Sequence, residues 1–224
     1  MQFSESSRRD SRQQELYLGS WLIPNFYFGL LRSLSVDGCH FLSDALLPCN
    51  LLPFLTNLET LDVRNCDSVK TIFDMTCATQ YPMTFPVKEL KLFKLSNLKN
   101  VWNKDPTGVI SMQHLQEVFV DGCPCLISVF PSSVAKELEE LQNLVVKDCD
   151  TLMTIVAEDP SRTNHDLPCP RIRSLRLRRL HKLKYFYYRS LQSDNFTHQV
   201  YFERVRTTVL PVYHFLHLNK KVGS

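Results

Sequence analysis

Apolar residues recur along this chain with one spacing in six stretches. Laid over one another without gaps they read LRSLSVDGCHFLSDAL from Leu31, LETLDVRNCDSVKTIF from Leu58, VKELKLFKLSNLKNVW from Val87, LQEVFVDGCPCLISVF from Leu115, LQNLVVKDCDTLMTIV from Leu141 and IRSLRLRRLHKLKYFY from Ile172. Positions 1, 4, 6, 12 and 15 of this sixteen-residue unit are apolar in every copy, and the starts lie 27, 29, 28, 26 and 31 residues apart. A fixed period in this range signals repeated supersecondary units rather than one irregular core. Positions 4 to 6 alternate apolar, free, apolar. That period of two predicts short strands at Leu34–Val36, Leu61–Val63, Leu90–Leu92, Val118–Val120, Leu144–Val146 and Leu175–Leu177.

Each unit carries too little apolar surface to fold alone, so consecutive units must bury one another's faces. The form L-x-x-L-x-[LV]-x-x-C is that of an α/β leucine-rich-repeat solenoid, with parallel strands about 4.8 Å apart along one side. The half of the unit holding positions 12 and 15 closes the opposite wall. Because that wall is wider than a strand, the strands are expected on the concave face, with irregular loops and an occasional helix on the convex face. Position 9 holds Cys39, Cys66, Cys123 and Cys149, and Leu95 and Leu180 in the other two copies. A thiol shares that place with leucine when it is a small, reduced core group beside turn backbone. Connectors vary as surface loops do. Residues 103–111 and 157–170 read as turns, while PSSVAKELEE from Pro131 reads as a convex-side helix, with Ser132 or Ser133 as its cap and Val134, Leu138 and Leu141 at helical spacing. The organisation expected is a polar, disordered lead-in with an apolar edge at 1–27, about six coils over 28–190, and a non-repeat tail or cap at 191–224. The first and last coils carry no obvious polar cap, so core is exposed at the ends.

The phrases LETLDVRNCDSVKTIF, LQEVFVDGCPCLISVF and LQNLVVKDCDTLMTIV, together with KLSNLKNVW from Lys94, resemble the repeats of plant intracellular nucleotide-binding leucine-rich-repeat disease-resistance proteins of the coiled-coil class. The likeness covers about residues 28–190. It implies a cytoplasmic defence module whose repeats sense pathogen effectors or regulate a nucleotide-binding switch. The partners it implies are an effector, a guarded host protein, or the receptor's own nucleotide-binding module. No coiled-coil or nucleotide-binding module lies within these residues.

Composition narrows the alternatives. Only six glycines are present, and no Gly-x-x-x-x-Gly-Lys or Gly-x-Gly-x-x-Gly run that would let backbone approach a phosphate, so no cofactor is expected. The uncharged run Leu16–Leu31 is broken by Gly19, Pro24 and Gly29. It is shorter than the roughly 20 residues a spanning helix needs, so it reads as a lead-in to the first coil, without a membrane role. Cys123-Pro-Cys125 is too short for a zinc site, and His214 and His217 have no further ligands near them in sequence. No nucleophile motif is present, so an enzyme is not expected. A secreted ectodomain predicts Asn at position 9 and many sequons, against Cys and the single sequon at Asn195 here. A repeat-bearing adaptor for substrate selection in ubiquitination is the alternative, although residues 1–30 show no helical adaptor-binding motif.

Partner contact is expected at the outward positions beside the strand leucines, which differ from coil to coil: Ser35, Asp62, Lys91, Phe119, Val145 and Arg176. Without Ser35, and with Arg64, Lys147, Arg178 and Arg179, these form the candidate face. Phe119 and Val145 are neighbouring apolar residues where solvent is expected; they are either a contact site or covered by a loop. The net charge of +3 hides an asymmetry. Eight Lys or Arg and no acid fall between Arg171 and Arg189, leaving 18 basic against 23 acidic residues elsewhere. Such a stretch attracts an acidic partner or simply keeps a coil wet. Nucleic acid is disfavoured, because the aromatics Tyr185–Tyr188 that follow it fall partly at positions used for packing in other coils.

Overall fold

The computed structural model describes residues 15–18, 21–40, 44–76, 83–106, 108–157, 172–183 and 200–203, with 15–18, 21–27 and 200–203 as backbone. Each predicted strand is present and extends one residue further on either side: β1 (Ser33–Asp37), β2 (Thr60–Arg64), β3 (Glu89–Phe93), β4 (Glu117–Asp121), β5 (Asn143–Lys147) and β6 (Ser174–Arg178). They lie parallel, in sequence order and in register in one sheet. Leu34 sits beside Leu61, Leu61 beside Leu90, Leu90 beside Val118, Val118 beside Leu144, and Leu144 beside Leu175. Beyond β6 the sheet gains a seventh parallel strand, β7 (Val200–Glu203), so part of the tail joins the stack. Within the lead-in, Glu15–Leu18 and Trp21–Pro24 pair antiparallel and a 3₁₀ turn follows at Asn25–Leu30.

The alternating residues explain the register. Leu61, Val63, Leu90, Leu92, Val118, Val120, Leu144 and Val146 are wholly buried, and a one-residue slip would turn this apolar row to solvent. Main-chain bonding carries the register through the strand ends. At the start of each strand one carbonyl of the preceding coil accepts two amides, as Arg32 does from Glu59 and Thr60 and Lys88 does from Gln116 and Glu117. At the far end the amide of position 8 donates to position 7 of the next coil: Gly38 to Arg64, Asn65 to Phe93, Lys94 to Asp121, Gly122 to Lys147 and Asp148 to Arg178. All of these position-8 residues, and Arg179, have positive φ between 50° and 72°. The left-handed turn swings the chain inward, and position 9 then drops into the core. Cys66, Cys123 and Cys149 are buried there as free thiols, with free Cys39 half-buried. Cys66 and Cys149 donate to the carbonyl two residues back at 3.0 and 3.1 Å. Burial pushes the Cys66 thiol up, and Cys149 is raised by its bond to Cys123 and by burial, so these groups stay protonated.

The second wall is more regular than loops. Ala45–Leu47, Thr71–Phe73, Asn100–Trp102, Ser128–Phe130 and Thr154–Val156 form a five-stranded parallel sheet. In the second to fifth coils position 15 points inward, with Ile72, Val101, Val129 and Ile155 buried, whereas in the first coil the rear strand is shifted by one residue and Leu46, at position 16, lies beside Ile72. Position 16 of the second to fifth coils points the other way yet is also buried. Phe73 stacks on Trp102 at 5.2 Å between ring centroids, Trp102 leans on Phe130 at 6.0 Å, and Phe85 meets Phe73 edge-on at 5.7 Å. Connectors form an outer layer there. Residues 103–111 end in Ile110–Ser111, which pairs in parallel with Met83–Thr84. The predicted helix is α1 (Ser132–Glu137), with Val134, Leu138 and Leu141 buried. Its first turn is not capped by its own serines. Asp105 from the preceding coil accepts the Ser133 amide at 3.3 Å and the Ser132 hydroxyl at 3.2 Å.

Lys94 and Arg179 adopt the left-handed turn without glycine's freedom or the local hydrogen bonding of Asn and Asp, and thus carry its steric cost. Lys94→Gly is expected to stabilise the chain by about 0.5–1 kcal/mol. Gly122→Val is expected to cost about 2 kcal/mol, because a β-branched residue is placed at φ 72°. Urea unfolding of the two variants checks both signs.

Candidate interaction face

Strand alternation gives the front sheet three outward rows. The middle row runs Ser35, Asp62, Lys91, Phe119, Val145 and Arg176, side by side in register. The row at the strand ends runs Asp37, Arg64, Phe93, Asp121, Lys147 and Arg178. The nine candidates therefore fall together: eight on two adjoining rows, with Arg179 at the turn beside them. They are not equally accessible. Arg64, Arg176 and Arg178 are exposed, whereas Asp62, Lys91, Phe119, Lys147 and Arg179 are half-buried. Val145 is only 7% exposed, which leaves Phe119 as the main apolar contact of the pair.

The charges are organised by their neighbours. Arg64 donates both Nε and Nη2 to the two carboxylate oxygens of Asp62 at 2.8 Å, a planar two-point pairing that fixes both side chains. The same guanidinium lies 4.6 Å from the ring centroid of Phe93. Phe93 thus belongs to the face. The sequence pattern already implied it, since position 7 shares an orientation with position 5. Lys91 bridges to Glu89 at 2.7 Å and Lys147 to Asp121 at 3.4 Å. Arg179 grips Asp148 with Nε and Nη2 across adjacent coils. That guanidinium holds the Asp148 carboxyl below the usual aspartate range. At the margin of the sheet, Gln116 and His114 bond Glu140 and lower it likewise. Arg32, Glu59 and Lys88 form a further exposed chain of charge across three coils, of the kind that contributes little to stability.

Front to back, the face changes character. The first four strands carry acidic Asp37, Asp62, Glu89, Glu117 and Asp121 against basic Arg64 and Lys91, and the next two carry Lys147, Arg176 and Arg178 without an acid. Phe119 lies on the last strand before the change. A surface that is chemically different at every rung, held on an invariant apolar core, suits recognition of an extended macromolecular surface. Among the described residues no group of three His, Cys, Asp or Glu is placed to hold a metal ion, and no helix is long and apolar enough to cross a membrane. Arg171 and residues 184–189 of the basic stretch, Tyr185–Tyr188, residues 158–170 of the connector read as turns, the sequon at Asn195, and His214 with His217 lie outside the described residues.

Fold and face together define a leucine-rich-repeat interaction scaffold. The family profile of plant disease resistance protein RPS2-like leucine-rich repeats matches residues 2–150, and the chain belongs to that family. It is thereby a defence-related protein-interaction module, of a fold and family that typically work without catalysis. Past the matched segment the rear sheet adds Thr154–Val156 and the front sheet adds β6 and β7. No curated protein and no solved structure matches the chain.

The Asp148–Arg179 pair makes stability depend on pH with a definite sign. A carboxyl lowered in the folded state contributes stability above its unfolded pKa and loses it as pH falls through the folded one. Between about pH 5 and pH 2, the unfolding free energy of the native chain should fall more steeply than that of Arg179→Met. Urea titrations at stepped pH compare the slopes; equal slopes would show that the ion pair carries no linkage.

Proposed function

We propose that the chain acts in the cytoplasm as a recognition module of plant defence, binding a protein surface across the front sheet. The partner is a pathogen effector, a guarded host protein, or the nucleotide-binding module of a receptor, and the module works by contact, without catalysis or cofactor. The observation that carries this reading is the middle row of the face. Four coils present Asp62, Lys91, Phe119 and Arg176 at one structural position, with buried Val145 in the row between Phe119 and Arg176, while the residues on either side of each stay apolar and buried. Structural demand is met by the leucines and valines, so the chemistry of the row is free to serve a partner.

Affinity on such a face is concentrated in a few anchors. Phe119 and Phe93, which combine apolar area with half-burial, and the fixed Arg64 guanidinium are the candidates. The basic end of the face sets orientation and speeds encounter with an acidic surface.

Site-specific photo-crosslinkers at Lys91 and Phe119, with controls at Lys70 and Lys99 on the opposite margin, test the proposal in plant cells during a defence response. Adducts of one discrete mass are expected from the front positions and not from the controls. With the crosslinker at Lys91, the Phe119→Asp variant should abolish the adduct while the chain stays folded, at a cost of about 1–2 kcal/mol in urea unfolding for a charge at a half-buried strand position. Adducts equal from both margins, or absent from the front, would refute the proposal.

A further inference from the structure

The edge of the front sheet at β1 differs from the strands behind it. Leu61 and Val63 on β2 are wholly buried, but their counterparts Leu34 and Val36 on β1 are only partly so, as are Leu31 and Cys39 of the same coil. Leu30, just ahead, is 74% exposed. Among the described residues β1 pairs with β2 alone and ends the sheet.

The direction of its hydrogen-bonding groups follows from the ladder. The Arg32 carbonyl accepts from Glu59 and Thr60, and the Gly38 amide donates to Arg64, so even-numbered residues of this strand point their polar backbone groups at β2. Groups alternate sides along a strand, hence Ser33, Ser35 and Asp37 point theirs away from β2, where no described residue pairs with them. Natural sheets blunt such an edge with lysine, proline or a bulge. Ser33–Asp37 has no lysine and no proline, keeps unbroken register with β2, and bears one charge, at its last residue.

We propose that this edge pairs antiparallel with β1 of a second copy, about a two-fold axis through Ser35. That register is selected by side chains as well as by backbone. Ser35 meets Ser35 of the other copy, Ser33 meets Asp37, and on the core side Leu34 meets Val36. Every opposed pair is polar with polar or apolar with apolar, and no like charges face each other. Each outward-pointing residue exchanges both its amide and its carbonyl bond, and the half-buried Leu34 and Val36 of two chains cover one another. A parallel pairing offers no closed two-fold arrangement and leaves a new open edge. The interaction lies on the rim of the sheet, not on its outward face, so it stands independently of the recognition role.

The test uses the full chain with two variants. Directly opposed residues of a bonded antiparallel pair have Cα atoms about 5.5 Å apart, within the span of a disulfide. Ser35→Cys is therefore expected to yield a disulfide-linked dimer under mild oxidation, above whatever the native thiols of the unsubstituted chain form. Sedimentation of the unsubstituted chain should show concentration-dependent dimers. Ser35→Pro removes an amide that β2 does not use and should weaken dimerisation at least about tenfold while circular dichroism is unchanged. A monomer at all concentrations overturns the proposal. So does a dimer that Ser35→Pro leaves intact, or a Ser35→Cys chain that cross-links no more than the native one.

Discussion

One constraint governs this molecule: no coil can bury its own apolar residues, so each depends on its neighbours standing in register. The strand leucines and valines are fully buried only because the same positions lie above and below them. Backbone bonding enforces the same alignment, with forked acceptors where each strand begins and a left-handed residue where it ends. Side chains repeat the device at the turns, as when Asn65 bonds Asp37, Asn97 bonds the Asp67 carbonyl, and Thr151 bonds the Pro124 carbonyl, each reaching one coil back. Contacts are thus local in structure although about 27 residues apart in sequence, and stability follows as a sum over adjacent coils.

Much of this was legible from the chain alone, because period two and period twenty-eight are both written in apolar residues. The strand positions, the buried thiols and the family resemblance all came from that pattern. What it hid has specific causes. The left-handed residue at position 8 is Gly, Asn or Asp in four coils, a usable signal, but Lys94 and Arg179 break it. The rear sheet escaped because three-residue strands are too short to show alternation. Its outward position 16 is also apolar, since connectors and the Phe73–Trp102–Phe130 stack bury it from outside. The capping of α1 by Asp105 could not be read locally, as the acceptor comes from another coil. On the candidate face, the positions were legible and the environments were not: Val145 is buried, Arg64 is fixed between Asp62 and Phe93, and Arg179 belongs to Asp148.

The division of labour links fold to function. Inward positions are held to leucine, valine and cysteine by packing, while the outward positions of the same strands carry acid, base and aromatic residues in a fixed spatial order. A protein-interaction module of the plant disease-resistance family needs that combination, in which surface chemistry changes without disturbing the core. The rigid two-point pairing of Arg64 with Asp62 presents part of this surface already organised, which lowers the entropy lost on binding.

The dependence of each coil on its neighbour is measurable as coupling. Leu61 and Leu90 occupy the same position on adjacent strands, and Leu61 and Leu175 the same position on distant ones. A double-mutant cycle of Leu61→Ala with Leu90→Ala should give a coupling energy of about 0.5–3 kcal/mol, and Leu61→Ala with Leu175→Ala should be additive within about 0.5 kcal/mol. Additivity in the adjacent pair would contradict the in-register stack on which the fold and its face depend.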